Sequence, residues 1–271
     1  MQERARRADV LLCVREDREK ELTGFKDLFS RGAAAYAAHR PRYPPRLFAE
    51  LAARSPRTQL AWDCATGNGQ AALGLVEYFS HVVATDASAA QIASAVPHER
   101  VSYHVALAHT SGLASRSVDL VSVAQALHWL DRDSFFREAA RVLVRSGVIA
   151  VWCYGLIEVE DGIDRLVGRF YNETLGAYWA PERRLVDDGY RTIQFPFDEF
   201  EVPPLAIEQT LRLDQLGDYV RTWSAVQRFV QERGDDPVAD LVATIAPMWG
   251  PSSRTRQVRW PLFVRAGKSA G

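Results

Sequence analysis

Two glycines and an acidic residue downstream of them are the most informative positions of this 271-residue chain. Gly67 and Gly69 follow an apolar segment that ends at Cys64, and Asp86 ends the next apolar segment. Glycines at such a turn let a ligand approach the backbone, and a helix opening near Gln70 offers free N–H groups to an anion. A carboxylate at the tip of the second strand can accept hydrogen bonds from both hydroxyls of a ribose. The spacing therefore predicts a site for a nucleoside-bearing ligand.

This pattern alone leaves the ligand open. The spacing Gly67-x-Gly69-x-x-Ala72 satisfies the dinucleotide fingerprint, so a nicotinamide cofactor competes with other nucleosides. A third interpretation involves no ligand, because the glycines can form a structural turn while Asp86 caps the following helix.

The elements around these residues alternate between strand and helix. Apolar runs occur at 60–64, 81–85, 101–105, 118–123 and 148–152, and helical patterns lie between them at 70–79, 87–95 and 133–144. Continuous apolar strands separated by short helices indicate a parallel sheet covered on both faces, with right-handed crossovers. We therefore predict a doubly wound α/β domain, whose ligand lies at the carboxyl edge of the sheet.

The segment from Asp63 to Gly69 resembles the first motif of class I S-adenosylmethionine-dependent methyltransferases, in which an acidic residue precedes the glycine loop. Ala65 stands where the motif usually begins with glycine, and we expect it to adopt an ordinary φ in a slightly altered loop. Further motifs resemble the type 11 methyltransferase group, which includes trans-aconitate methyltransferase-like proteins. They read F-x-x-x-F-S at 25–30, Y-x-x-H-R-P-x-Y-P at 36–44, S-V-D-L-V at 117–121, A-Q-A-L-H-W at 124–129 and R-V-L-V-R-S-G-V at 141–148.

This resemblance covers residues 25 to 152 and implies a Rossmann-like methyltransferase fold. We expect a mostly parallel seven-stranded sheet with a helical insertion before the last strands. Residues 1–24 are predicted to be a flexible or helical extension, and 25–271 a single methyltransferase domain. Within it, the aromatic-rich segment 154–249 is expected to include a helical cover over the active site. The last strand is predicted at 257–265, where Pro261 suggests an irregular or edge position.

The resemblance also implies which residues contact S-adenosylmethionine. Asp86 is expected to bind the ribose, with Ala87 or Ser88 beside the adenine. The family's acidic residue after the third strand is absent here, so backbone groups of Ala108 and His109 are expected at the adenine edge. The expected cofactor contacts are Tyr36, Arg40, Asp63, Ala65, Thr66, Gly67, Gly69, Asp86, Ala87, Ala108, His109, Gln125 and Ala126.

The backbone around Ala65, Thr66, Gly67 and Gly69 is expected to face the methionine part of the cofactor. Gln125 and Ala126 would close over the cofactor near the sulfonium, Tyr36 would shield the sulfonium, and Arg40 would pair with the methionine carboxylate. For the last two, simpler roles remain open, because Tyr36 can pack a helix and Arg40 can hold a loop.

For the acceptor side, the tentative catalytic residue is His128, which follows the fourth predicted strand and could orient or deprotonate an acceptor. The substrate pocket is predicted to involve Tyr43, His128, Trp129, Tyr178 and Trp179. Trp129 and the other aromatic residues can equally be ordinary packing. Glu182, Arg183 and Arg184 are interpreted as a solvated helix start.

Composition narrows the remaining choices. Lys and Arg total 33 against 34 Asp and Glu, so the formal charge of −1 disfavours a nucleic-acid partner. Cys13, Cys64 and Cys153 show no metal-ligand spacing, and no metal is expected. No apolar run approaches the roughly 18 residues of a membrane span. We expect a cytoplasmic monomer or homodimer without a membrane partner.

The predicted function is methyl transfer from S-adenosylmethionine to a small-molecule acceptor, at oxygen, nitrogen or a carboxylate. Two alternatives from other classes remain. One is a non-catalytic S-adenosylmethionine-binding or regulatory protein, and the other is an NAD-dependent oxidoreductase, for which no Tyr-x-x-x-Lys pair is evident. The identity of the acceptor does not follow from the fold.

Overall fold

A computed structural model describes residues 40–270 of the chain. The predicted N-terminal extension and Tyr36 lie outside these residues. The helices are α1 (Pro45–Arg54), α2 (Gln70–Leu75), α3 (Ala89–Ala93), α4 (Arg132–Val142), α5 (Asp161–Arg169), α6 (Arg183–Asp187), α7 (Leu213–Arg221), α8 (Ser224–Arg233) and α9 (Pro237–Trp249). The strands are β1 (Leu60–Cys64), β2 (His81–Asp86), β3 (Val101–Val105), β4 (Val118–Ala124), β5 (Leu143–Tyr154), β6 (Asp198–Phe200), β7 (Leu205–Arg212) and β8 (Thr255–Lys268).

The strands form one sheet in the order β3-β2-β1-β4-β5-β8-β6, and β7 also pairs with β8. The five strands from β3 to β5 are parallel, while β8 runs antiparallel to β5, β6 and β7. This is the α/β architecture expected from the sequence. Because β6 and β7 share the edge of β8 that faces away from β5, the sheet has eight strands within the described residues, where seven were expected.

Burial on both faces explains why the central strands read as continuous apolar runs. In β5, Ala150 and Trp152 join a core beneath α1 and α2, whereas Ile149 and Val151 join a second core beneath α4. All four side chains are fully buried. Successive residues of one strand therefore stabilise two helical layers, and these layers hold the carboxyl ends of the strands at a common edge.

The segment 154–249 shares the core beneath α1 and α2. Tyr219, Val220 and Trp249 of this segment are buried in that core together with Trp260 of β8. The segment contains helices α5 to α9, as expected, but also β6 and β7, which the sequence analysis did not predict. The insertion therefore extends both the helical layer and the sheet.

Pro261 does not lie on an edge strand, because β8 has neighbours on both sides. Its register partner is Ala206 of β7 on one side. On the other side its carbonyl accepts a hydrogen bond from the Gly155 amide at 2.9 Å, just after β5 ends. Proline has no backbone N–H to donate to a neighbouring strand. It is tolerated at position 261 because an N–H there would point toward the chain beyond the end of β5.

None of the helices within residues 40–270 is long and apolar enough to cross a lipid bilayer.

Candidate functional site

The turn after β1 is built from three residues with left-handed backbone. Ala65, Gly67 and Gly69 have φ values of 54°, 58° and 89°. Glycine adopts this region freely, but an L-residue pays about 1–2 kcal/mol. The expectation of an ordinary φ at Ala65 is therefore wrong: the chain keeps the glycine-type turn and places a strained alanine in it.

Asp86, at the end of β2, joins this turn to the next one. One carboxylate oxygen accepts the Gly67 N–H at 2.9 Å and the other accepts the Ser88 N–H at 2.8 Å. Ser88 in turn caps α3, because its hydroxyl accepts the Gln91 N–H. The carboxylate thus holds two loops of the site in place. Asp86 also lines the cleft described below.

Asp63 lies beneath the turn and is fully buried. Its carboxylate accepts hydrogen bonds from the hydroxyls of Thr66 and Ser122, the latter at 2.7 Å. Burial raises its pKa to about 6, although these two hydrogen bonds act in the opposite direction. Asp63 is not among the residues that line the cleft, so the structure places it as a support of the loop.

Gly69 is also a packing position. A Cβ atom built on it would stand 2.4 Å from the hydroxyl oxygen of Tyr103, whose side chain fills this space. A Cβ atom on Gly67 would meet only the Gln91 side chain, at 3.8 Å. Of the two glycines, only Gly67 lines the cleft.

The turn after β4 also contains a strained residue. Gln125 has a φ of 55°, and its backbone N–H donates to the Trp152 carbonyl at 2.8 Å. Its side-chain oxygen accepts the Tyr154 N–H at 3.1 Å. These two contacts with β5 hold Gln125 at the mouth of the cleft in a conformation that glutamine otherwise avoids.

A cleft runs along the carboxyl ends of β1, β2 and β4, with about 1040 Å³ of atom-free space when the open solvent at its mouth is included. Alanine predominates in its wall, at positions 65, 71, 87, 106, 108, 124 and 126. Small side chains leave this room for a large ligand. The other residues that line it are Tyr43, Thr66, Gly67, Asn68, Gln70, Asp86, Ser88, Gln91, Gln125, Trp129 and Leu130.

Several of these lining residues had not been singled out as contacts. They are Asn68, Gln70, Ala71, Gln91, Ala106, Ala124 and Leu130. A sequence signal existed for most of them, because each lies within a few residues of a predicted strand end. Parallel strands bring these ends to one edge of the sheet.

Arg40 is not a lining residue of this cleft. Its guanidinium donates to the Tyr154 hydroxyl and, at 3.2 Å, to the Thr222 carbonyl. It also lies 5.8 Å from the centre of the Tyr219 ring. Arg40 therefore contacts the segment 154–249, whereas Tyr43, three residues further on, lines the cleft and packs edge-on against Trp152.

His128 lies just outside the cleft, in the turn formed by Leu127–Trp129. Its Nδ1 atom is 2.9 Å from the Tyr190 hydroxyl, and its ring centre is 4.7 Å from that of Trp129, which lines the cleft. Burial, and then the nearby charge of Arg183, lower the pKa of His128 to about 3. The imidazole is therefore uncharged at neutral pH and is a weak proton acceptor.

Three further predicted contacts lie away from the lining of the cleft. His109 follows Ala108 but does not line it. Trp179 stacks near Tyr171 with ring centres 4.6 Å apart, and Tyr178 packs against Phe229. Tyr178 and Trp179 thus belong to an aromatic cluster within the segment 154–249.

Metal ligation finds no support in the part of the chain that the structure describes. No group of three His, Cys, Asp or Glu residues there is arranged to hold an ion. Cys64 and Cys153 are buried free thiols, and burial raises the pKa of both.

Comparison with protein families identifies a methyltransferase domain at residues 62–151. A Dictyostelium discoideum protein named as a methyltransferase is 30% identical over 253 residues, which cover 91% of this chain and 96% of that protein. A Saccharomyces cerevisiae protein named as an S-adenosylmethionine-dependent methyltransferase is 25% identical over 247 residues, covering 77% and 84% of the two chains.

The fold is also similar to solved structures. A methyltransferase structure from Anaeromyxobacter dehalogenans superposes with a TM-score of 0.81 at 44% sequence identity. The superposition covers 85% of this chain and 98% of that one. Similarity therefore extends well beyond residues 62–151 into the segment 154–249.

Proposed function

Because this chain belongs to the class I S-adenosylmethionine-dependent methyltransferases, we propose that its acceptor is a small molecule that binds between the cleft and the segment 154–249. The family supports S-adenosylmethionine as the cofactor and disfavours the nicotinamide alternative. The observation that carries the proposal is the hydrogen bond between His128 and Tyr190, which joins the mouth of the cleft to that segment.

The cleft suits the cofactor on its own geometry. Asp86 presents a carboxylate already oriented by two backbone N–H groups, and such a group would hold the ribose hydroxyls. The lining alanines Ala87, Ala106 and Ala108 leave flat space for the adenine. Ala65, Thr66 and the Gly67 backbone would then face the methionine part.

The reaction demands mainly alignment from the protein. Bound S-adenosylmethionine supplies an electrophilic methyl group, so the chain must position the acceptor and exclude water. Positioning of this kind lowers a barrier by about 7–11 kcal/mol. Gln125, Trp129 and Tyr43, which line the cleft below the segment 154–249, are the residues that we propose for this task.

Beyond the end of β5, the segment 154–249 makes two separate contacts with residues outside it. Tyr190 bonds to His128, and the Thr222 carbonyl accepts a hydrogen bond from Arg40. A cover held in this way can exclude water from a bound ligand. Such a site suits a small acceptor, and the formal charge of −1 gives no attraction for nucleic acid.

We propose that His128 orients the acceptor and does not deprotonate it. Burial raises the pKa of Tyr190, so its phenol keeps the proton, and among the described residues Nδ1 of His128 is its hydrogen-bond partner, which favours Tyr190 as the donor. The proton of the neutral imidazole then resides on Nε2. Among the described residues nothing is hydrogen-bonded to Nε2, so this N–H is available to a ligand.

The test follows the methyl group. Purified protein is first titrated with S-adenosylmethionine, S-adenosylhomocysteine and NAD, and only the first two are expected to bind. It is then incubated with methyl-labelled S-adenosylmethionine and a cell extract split by ultrafiltration into small molecules and macromolecules. Label is expected in the small-molecule fraction alone.

The control is Asp86→Ala, which should reduce labelling at a limiting cofactor concentration because it weakens cofactor binding, against Asp235→Ala at an exposed position. Label found only in the macromolecular fraction would show that the acceptor is a protein or nucleic acid. Binding of NAD in place of S-adenosylmethionine would refute the assignment of the cleft.

A further inference from the structure

Asn68 lies between the two glycines of the turn after β1 and lines the cleft. Only 9% of the residue is exposed, so the surface that remains to it opens into the cleft. Within residues 40–270, the Asn68 carboxamide forms no hydrogen bond. Neither its oxygen nor its nitrogen is sealed inside the protein. The loop therefore holds this amide in place while its hydrogen-bonding groups stay open to a ligand.

The ordinary reasons for an asparagine in a turn do not account for Asn68. Asparagine in such a position commonly adopts positive φ or bonds its side chain to a nearby backbone group. In the part of the chain that the structure describes, Gly67 and Gly69 have positive φ, but Asn68 does not. The N-terminus of α2, which begins at Gln70, receives no side-chain hydrogen bond. Backbone geometry thus gives the Asn68 side chain no task in the fold.

Two other polar side chains of the same wall do have structural tasks. Thr66 is buried to the same extent as Asn68, but its hydroxyl donates to the Asp63 carboxylate. Ser88 is also buried, and its hydroxyl accepts the Gln91 N–H at 3.3 Å. Both side chains connect elements of the fold. Asn68 connects none, which indicates a role toward a bound molecule.

The cofactor has one group for which the wall of the cleft must supply donors. S-adenosylmethionine carries an ammonium and a carboxylate at its methionine end. Asp86 is the one charged residue among the described residues that line the cleft, and its negative charge favours the ammonium over the carboxylate. A carboxylate enclosed by alanines costs free energy unless hydrogen bonds replace those of water. The carboxylate therefore needs N–H or O–H groups from the chain.

Arg40, which the sequence analysis assigned to this carboxylate, does not line the cleft. Its guanidinium donates to the Tyr154 hydroxyl and to the Thr222 carbonyl of the segment 154–249. The cleft wall formed by residues 40–270 contains no lysine or arginine. Within these residues, an uncharged donor must take the place of a cation.

We propose that the Asn68 carboxamide binds the carboxylate of S-adenosylmethionine through the two N–H groups of Nδ2. Asn68 directly follows Gly67, whose backbone N–H is 2.9 Å from the Asp86 carboxylate, so the carboxamide comes next to the ribose site along the wall. A carboxylate strengthens the hydrogen bonds that it accepts from neutral donors. This inference rests on the cofactor site of the proposed function and does not depend on the acceptor.

The first test compares S-adenosylhomocysteine with its decarboxylated analogue S-adenosylthiopropylamine, which differs only in the missing carboxylate. Both compounds are titrated into the purified protein by calorimetry. S-adenosylhomocysteine is expected to bind about tenfold more tightly, because hydrogen bonds to charged groups contribute this much. Equal affinities would overturn the inference and leave the cleft a cofactor site. Binding of neither compound would overturn the cofactor site as well.

Variants at position 68 then assign the preference to the carboxamide. Asn68→Ala should weaken binding of S-adenosylhomocysteine about tenfold and binding of the amine less than about twofold. Asn68→Asp, of the same size, should reverse the preference, because its carboxylate repels that of the ligand and attracts the ammonium. Asn172→Ala and Asn172→Asp are the matched controls, since Asn172 is exposed on the segment 154–249, and both affinities should stay unchanged.

Arg40→Met distinguishes the carboxamide from the cation. The preference for the carboxylate should persist in this variant, although both affinities can fall because Arg40 bonds to the segment 154–249. Loss of the preference in Arg40→Met and its retention in Asn68→Ala would overturn the inference. Equal weakening of both compounds by Asn68→Ala would also overturn it, because a purely structural residue affects both. If Asn68→Ala is unfolded, Asn68→Asp and Arg40→Met still decide.

Discussion

Ala65 and Gln125 adopt the same left-handed backbone conformation, each one residue beyond one of two neighbouring parallel strands. Their φ values are 54° and 55°, and they follow β1 and β4 directly. Both line the cleft. The chain thus turns sharply at the ends of two neighbouring strands, and in each turn the first residue has a strained backbone conformation.

Replacing Ala65 with glycine is expected to stabilise the protein. Glycine adopts positive φ without the Cβ clash, so the gain should be about 1 kcal/mol in the free energy of unfolding. Denaturant unfolding measures it. Ala53→Gly is the matched control, because Ala53 is exposed in the regular helix α1 and should lose about 0.5–1 kcal/mol. A loss of stability at both positions would contradict the left-handed assignment of Ala65.

Alanine substitutions at the two glycines of the loop are expected to have different effects on stability and cofactor binding. Gly69→Ala meets Tyr103 and should lose about 1–3 kcal/mol of stability by overpacking, beyond its backbone strain. Gly67→Ala makes only an ordinary contact with Gln91 and should lose about 1–2 kcal/mol of stability from backbone strain, but it should weaken cofactor binding because Gly67 lines the cleft. Unfolding curves and cofactor titration separate the two effects.

Tyr103→Ala provides the internal check. In a background that lacks the Tyr103 ring, the stability lost through Gly69→Ala should be only the part that comes from backbone strain. An unchanged penalty in the double variant would mean that the contact with Tyr103 is not what excludes a side chain at position 69.

Asp86→Ala is expected to lower both cofactor affinity and stability. Affinity should fall at least tenfold, since hydrogen bonds to charged groups contribute about 1.5–3 kcal/mol. The sequence alone suggests little change in unliganded stability, but the structure predicts a loss, because the Gly67 and Ser88 N–H groups lose their acceptor. Asp86→Asn should recover part of that stability, since one oxygen remains. Thermal melting without ligand decides between the two expectations.

His128 and Asp63 are expected to have opposite effects on stability in mild acid. The pKa of His128 is about 3 in the folded protein against an ordinary 6.5, so its contribution is present above pH 6.5 and is lost as pH falls. The pKa of Asp63 is about 6 against 3.8, so the folded protein binds a proton that the unfolded chain releases, and stability is gained as pH falls from 6. Near pH 5 the two slopes should nearly cancel.

Single variants separate the two opposing pH dependences of stability. In Asp63→Asn, stability should fall between pH 6 and pH 5 relative to the parent protein, by up to about 1.4 kcal/mol per unit. In His128→Asn it should rise by a similar amount over the same interval. Denaturant midpoints at a series of pH values measure both, and parallel curves for the three proteins would refute the shifted pKa values.

The sequence predicted the parallel half of the sheet well because its central strands are buried on both faces. Runs such as 118–123 and 148–152 are therefore mostly apolar. Strand β7 was not predicted because its alternation of buried and exposed residues is incomplete. Leu205 and Ile207 are buried, but Gln209 and Leu211 are only partly buried. A strand near the edge of a sheet carries a weaker signal than a central one.

The candidate site was only partly predictable for a different reason. Glycine spacing and Asp86 mark a ligand turn directly, whereas the left-handed conformation of Ala65 contradicts what alanine ordinarily indicates. Arg183 was expected at a solvated helix start, but its side chain is only 22% exposed because it contacts Tyr171 and Trp179, which only the folded chain brings together. Neither feature has a local sequence signature.

The position of β8 between β5 and the pair β6 and β7 has a consequence for synthesis of the chain. β8 begins about one hundred residues after β5 ends, yet it covers the open edge of β5 along seven paired residues. On the ribosome, the nascent sheet must therefore expose that edge until every other strand has been translated. Closure through such distant contacts is slow, and an uncovered edge pairs readily with other chains. Yield in the cell should thus depend on chaperones that shield the edge of β5 during this interval.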